Sequence, residues 1–446
     1  MAIGRNLLIV LTHGMRSDVL SDSKVWPLVT HNFEKLAARG LRLIASSACT
    51  ADDGGMVSLL TGLHARQHGY TDSQHVRQCD GWLAELKQAG YHTAGVGCLH
   101  PVARWLDKEV LVDPVDVVES DRCAYFAAMR AKHQLPAVQL QRRSRLRSGP
   151  FEPDRLLLEP DDDIDGFIGL QAYHMIDRMP TDKPWALVVC FSGPGNDLPP
   201  PSLYDQVVEL DQVTHSFIPA DLTAIDALCE LDYPRVMLQR LDKHRVAQIR
   251  CDYLGRVSLI DFCLGRLLGR VRDRSDASKT WTVTSSDRGQ LLGEHGLVGH
   301  RSFLSPAIEV PVIVAPPTPV KELTTEGLLS SVDVAATILD LAGCDVDSHL
   351  AGRSLLPMFR GETFASPSSE ACLCEFGQRL MLETKRYKTV FDTNSLGAIG
   401  LYDLLNDPYE RDNLIDSPVG RNLLDSLRWR LGDVLMPLRN TPGGGV

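Results

Sequence analysis

Asp52 and Asp53 stand side by side just ahead of Gly54-Gly55 and the apolar run that begins at Met56. Two carboxylates at the start of a helix can do two different things. They can cap its free amides and favour its dipole, or Asp52 can serve as a nucleophile of the aspartyl-phosphate kind. Capping is the simpler expectation. The eleven cysteines form an odd set, and several lie inside apolar runs, as Cys190 does in Leu187-Val188-Val189-Cys190-Phe191. Such cysteines read as reduced thiols packed as small hydrophobes. Cys372 and Cys374 form a C-x-C without a second pair, which gives no zinc site. The run Arg142-Arg143-Ser144-Arg145-Leu146-Arg147 falls in a stretch of mixed Pro and charge from 101 to 160. It reads as a solvated insertion loop, with an anion-binding lid as the alternative.

The elements that must position these residues follow from the apolar patterning. The chain has 446 residues, 44% of them hydrophobic and 23% charged, which suits one large α/β domain with a smaller appendage. Its net charge of −11 disfavours a nucleic-acid partner or an anionic membrane surface. No apolar run reaches the roughly 18 residues of a membrane span. The N-terminal run Leu7–Leu11 is too short for a signal segment, so a buried first strand and a cytoplasmic location are expected.

Short β-rich runs at Asn6–Leu11, Leu41–Ser46, His92–Val96, Trp185–Phe191, Thr280–Ser285 and Val310–Val314 alternate with helical spacing. Helices are expected over Asn32–Arg39, Gly81–Gln88, Val246–Val271 and Val332–Leu341, the last capped by Ser331 and ended by Gly343. This alternation predicts a large, mostly parallel sheet sandwiched by helices. Residues 1–362 are expected to form that α/β domain. Residues 363–446 are expected to form a small α/β subdomain with a final helix near Leu423–Leu435 and a frayed tail after Pro442.

Six segments in order resemble the sulfatase family of the alkaline-phosphatase superfamily. They are NLLIVLTHGMRSD (Asn6–Asp18), NFEKLAARG with SLLTGLHARQHG (Asn32–Gly40, Ser58–Gly69), AGYHTAGVGCLH (Ala89–His100), the stretch Ser286–Val314, Val332–Glu362 and YDLLNDPYERDNL (Tyr402–Leu414). The resemblance implies a divalent cation in a nest of carboxylates and a nucleophile at a helix N-terminus, normally a cysteine oxidised to formylglycine. Counting back from Ser58–Gly62 puts that nucleophile position at Asp52, with neither proline nor arginine in register. Cys49 and Thr50 lie nearby but out of register, so no formylglycine is expected.

Other family positions differ as well. The first loop carries His13-Gly14 where carboxylates are usual, Gly195 stands at an active-site histidine, and Cys98 at a lysine, although His100 is kept. Asp287 is retained but followed by Arg288, and Gly293-Glu294-His295-Gly296 is intact with His300 where a lysine is usual. A guanidinium cannot share the first shell of a hard cation. Arg288 is therefore expected to take the cation's place as a fixed charge beside Asp287 and Asp52, the alternative being outward pairing with a surface acid.

No cofactor is expected on this reading. The alternative is one calcium, manganese or zinc ion held by His13, Asp287 and Asp52. His100, His295 and His300, with Asp52 and Thr50, are the candidate catalytic or anion-facing residues. The favoured function is a family member without ordinary formylglycine-dependent turnover that holds a small anionic ester or a protein partner. An active hydrolase of sulfate, phosphate or phosphonate esters with rearranged ligands is the second reading, and a non-catalytic assembly subunit the third.

Overall fold

Leu7–Leu11 carries no polar side chain, and such a run is stable only as a strand covered on both faces. In the computed structural model it forms the centre of β1 (Asn6–His13), every residue of which is buried. The structure describes all residues except 1–3, 22–25, 71–80, 100–110, 112–113, 117–122, 152–157, 214–224, 234, 322, 324–326, 347–349, 363–369 and 440–446. The expected tail beyond Pro442 lies outside the described residues.

The other strands of the main sheet are β2 (Leu41–Ser46), β3 (His92–Gly97), β4 (Val115–Asp116), β5 (Trp185–Pro194) and β6 (Thr280–Ser286). A small ribbon of β7 (Leu291–Leu292) and β8 (Val298–Gly299) precedes the last main strand, β9 (Glu309–Ala315). The strand order is β2-β9-β6-β1-β5-β3-β4. Only β9 runs against its neighbours, β6 and β2, so the sheet is mostly parallel as the alternation predicts.

Helices Ile164–Arg178 and Lys243–Arg272 pack on each other and on β5. The second is buried through Leu254, Val257, Ile260, Leu264 and Leu267, the stripe legible in the sequence. Helices Gly54–Thr61, Trp82–Gln88 and Val332–Ala342 form another packed group. Gly343 ends the last of these at φ 74°, as expected of a left-handed terminator. Ser331 sits at its N-cap position but makes no capping bond, because its hydroxyl accepts from the Ala48 amide at 3.0 Å instead. The arginine-rich run expected as a loop is helical, within Leu135–Ser148. Its arginines are good helix formers and its only proline lies in the first turn, where a missing N–H costs nothing. No helix among the described residues is long and apolar enough to cross a membrane. The ten described cysteines are free thiols.

The C-terminal part is an antiparallel sheet of β10 (Ala371–Phe376), β11 (Arg379–Thr384), β12 (Tyr387–Asp392) and β13 (Ala398–Asp403), followed by the helix Pro418–Arg439. Strand alternation divides its side chains. Leu373, Leu382 and Phe391 pack with Leu431 and Leu435 of the helix, whereas Cys374, Met381 and Val390 join the main core.

This junction buries charge. Lys388 on β12 is completely buried and pairs with Glu410 and, at 3.8 Å, with Glu383. Glu309, at the start of β9, belongs to the same cluster. Burial and the nearby Glu383 outweigh Lys388 and push its carboxyl up from 4.5 to about 7. The folded chain therefore holds a proton there that the unfolded chain releases at lower pH. The stabilisation is complete below the unfolded value and is lost as pH rises through about 7. Glu309→Gln cannot ionise and lacks this loss. From about pH 5 to about pH 8 the wild type should lose on the order of 2 kcal/mol relative to the variant. Denaturation curves of the two proteins that stay parallel over this range would contradict it.

Candidate functional site

Three parallel strands, β1, β5 and β6, end side by side, and in open α/β sheets ligands sit at such carboxyl ends. β1 ends in His13, and β6 runs directly into Asp287. His13 Nδ1 lies 2.7 Å from Asp287 Oδ2, and the Gly14 amide donates to Oδ1 at 3.0 Å. The Arg288 guanidinium closes on the same Oδ2 and also donates to the Asp52 carbonyl oxygen at 3.1 Å. Asp287 is wholly buried, which alone would raise its carboxyl. Arg288 and His13 outweigh burial and hold it at about 2.

The second ring nitrogen of His13, Nε2, faces Cys190 Sγ at 3.8 Å. Burial pushes that thiol well up, so it stays a donor. His13 thus bridges Asp287 and Cys190 through its two ring nitrogens.

Glycines let the surrounding loops meet. Gly14, at φ 77°, abuts Gly195, whose amide donates to the His13 carbonyl at 2.9 Å. A Cβ on Gly14 would stand 2.8 Å from Gly195 Cα, so neither loop has room for a side chain at this contact. Tyr253 fixes the first loop from the long helix, donating to the Gly14 carbonyl and accepting from the Arg16 amide, each at 2.9 Å. Gly55 serves the helix Gly54–Thr61 in the same way. A Cβ there would lie 2.4 Å from the Asp287 carbonyl oxygen, so only glycine lets this helix start so close to the site.

At the mouth of the site one exposed acid faces an imidazole and a guanidinium. Asp52 is 47% exposed at its side chain and faces His300 Nε2 at 3.5 Å and Arg301 Nη1 at 3.8 Å. Arg301 is also held by Glu230 at 2.7 Å. Asp232 Oδ2 accepts both the His300 amide, at 2.6 Å, and the Arg301 amide, at 3.1 Å, which fixes this short cationic arm.

The candidates from the sequence divide accordingly. Asp52, Asp287, Arg288 and His300 come together with His13. Arg288 is buried and turned inward, so the outward alternative is overturned: the unmatched charge of Asp287 draws it in. Asp53 occupies the N-cap position but makes no side-chain capping bond, because its own φ and ψ are helical. Thr50 is completely buried, which removes its hydroxyl from any ligand at the mouth. His295 does not line the site. Its Nε2 lies 2.7 Å from the Tyr409 carbonyl oxygen, and burial lowers its basicity. His100 lies outside the described residues. Arg301 carries no signal in the sequence beyond its place next to His300. Tyr253 and Cys190 sit inside patterns that otherwise read as core.

The donor set does not fit a divalent cation. Both oxygens of Asp287 and both nitrogens of His13 are already engaged, one of them by a guanidinium that offers no lone pair. The Asp52 carboxylate faces the cationic arm instead, and among the described residues no three His, Cys, Asp or Glu side chains are grouped to hold a metal ion.

The model for the sulfatase family matches residues 5–344, about three-quarters of the chain. The chain belongs to the sulfatase family. A second model, for the C-terminal part of N-sulphoglucosamine sulphohydrolase, matches residues 293–436 of this sulfatase-family chain. The N-acetylglucosamine-6-O-sulfatase of Bacteroides thetaiotaomicron is 22% identical over 92% of the chain and 82% of its own length. The choline-sulfatase of Rhizobium meliloti is 24% identical over 93% and 83%. Among solved structures, the phosphonate monoester hydrolase of Agrobacterium radiobacter superposes with a TM-score of 0.78 at 18% identity, covering 98% of this chain and 95% of that one. That likeness shows a shared fold.

Proposed function

We propose that this sulfatase-family protein binds a small anionic ester at the mouth formed by Asp52, His300 and Arg301, without ordinary formylglycine-dependent turnover. One observation carries the reading. Arg288 sits on Asp287 and on the Asp52 carbonyl, so a fixed positive charge stands where the family's chemistry calls for a cation. The relatives named above act on sulfate and phosphonate esters, and the shared chemistry is a tetrahedral oxyanion. His300 and Arg301 are donors suited to it. In the ligand-free chain the Asp52 carboxylate faces both of them and pairs with the Arg301 guanidinium, and an incoming anion has to compete with it.

That competition gives the test. Asp52→Asn removes the rival charge and should tighten binding of orthovanadate or sulfate about fivefold, equivalent to ~1 kcal/mol. Calorimetric titration of both proteins reads this directly. Unchanged or weaker binding by the variant would count against the site.

A second reading has its own observation: Asp52 is an exposed carboxylate at a helix N-terminus with an imidazole and a guanidinium beside it, an arrangement suited to nucleophilic attack. On that reading the wild type hydrolyses 4-nitrophenyl sulfate, phosphate or phenylphosphonate. Asp52→Asn would then abolish the hydrolysis rather than merely tighten binding.

A further inference from the structure

We infer that Lys388, on the C-terminal sheet, is a positioning residue for the cationic arm His300–Arg301, an assignment that rests on the anion-binding reading of that arm. Lys388 is completely buried, and its Nζ reaches out of the sheet toward the segment just after the arm. It donates to the Phe303 carbonyl at 2.7 Å and to Ser305 Oγ at 3.2 Å. Its main ionic partner, Glu410, takes hold of the same segment, accepting from the Ser305 amide at 2.9 Å. Glu383 lies 3.8 Å from the ammonium and makes no hydrogen bond to the segment.

The far end of the arm is tied to the main domain. Asp232 takes the His300 and Arg301 amides, the Arg301 carbonyl accepts from the Glu230 amide at 2.9 Å, and the Phe303 amide donates to the Leu228 carbonyl at 2.7 Å. Residues 300–305 are thus stretched between two anchors, one in each part of the molecule. Burial opposes charge on Lys388, but Glu410 and Glu383 more than offset it and keep the ammonium protonated. A charged lysine aimed at a backbone carbonyl and a serine hydroxyl fixes the height of this segment. Two residues earlier, that height sets how far Arg301 reaches toward Asp52. Precise placement of a charged donor is worth more than its mere presence.

The test separates positioning from general stability. Lys388→Met keeps the bulk and removes the two hydrogen bonds that Lys388 gives to Phe303 and Ser305, whereas Glu383→Gln disturbs the same buried charge without touching the segment. With orthovanadate as the probe, Lys388→Met should weaken binding about tenfold in the folded variant, with faster amide exchange at 300–305. Glu383→Gln should leave the affinity within about twofold whatever it does to the melting temperature. Should Lys388→Met not fold, Glu410→Gln retains an acceptor for the Ser305 amide, and its weakening should be about threefold. Arg301→Ala serves as the reference for the arm itself. If it abolishes binding while Lys388→Met, or Glu410→Gln in its place, binds like the wild type, Lys388 is purely structural and the inference is overturned. If Arg301→Ala binds vanadate like the wild type, the anion-binding reading of the arm fails first and takes the inference with it.

Discussion

Arg288→Asn is expected to destabilise the metal-free protein by about 3 kcal/mol, because it leaves a fully buried carboxylate without its strongest partner. Asp287 would keep only His13 and the Gly14 amide. The same variant should gain what the wild type lacks. With the guanidinium gone and an amide oxygen in its place, Asp287 acquires an oxygen-donor neighbour of the kind calcium and manganese prefer. Excess metal should then restore stability, by about 2.7 kcal/mol at a hundredfold excess over the dissociation constant. Thermal melts of wild type and variant, with and without calcium or manganese, read both effects. A variant as stable as the wild type would show that Arg288 balances nothing. A stabilisation of the wild type equal to that of the variant would show that the guanidinium does not keep cations out.

A larger loss is expected at Arg256, on the long helix Lys243–Arg272. Its side chain is 1% exposed and binds Asp163 through two nitrogens, at 3.0 and 3.1 Å, together with Asp165. Asp165 in turn accepts the Ser192 amide at 2.7 Å and the Gly193 amide at 3.1 Å, which holds the end of β5 just before Gly195. Arg256→Leu would leave two buried carboxylates facing each other and should cost about 4 kcal/mol in urea denaturation. Arg256→Lys, which keeps charge but not the paired geometry, should fall between the two. A loss below about 1 kcal/mol for leucine would mean that protonation of Asp165, already favoured by its burial, relieves the pair without help.

The strands were legible because a sheet covered on both faces demands uninterrupted apolar runs. All six expected central strands exist, with ends that differ by at most three residues. The reversal of β9 was not legible, since side-chain pattern in a fully buried strand carries no direction. Arg16 and Glu294 were visible as parts of two separate motifs. Their meeting at 2.8 Å, with Arg250 joining at 3.1 Å, is a tertiary fact that no local spacing contains. Arg288 was readable because a cation and a guanidinium cannot share Asp287, an argument from charge rather than from pattern. His295 belongs to an intact motif, yet it does not face the site. Its backbone, at φ 52°, turns the ring toward Tyr409. The arginine-rich helix was not legible from its charge alone, because arginine is also a good helix former.

A native mass spectrum of the wild-type protein, recorded after equilibration with micromolar calcium and manganese, tests the central claim most directly. The expected result is the mass of the unmodified chain with no one-to-one metal adduct, and a peptide covering residues 41–66 in which Cys49 is intact. A stoichiometric calcium or manganese adduct, or an aldehyde within that peptide, would contradict the assignment of Arg288 as the charge that stands in for the cation.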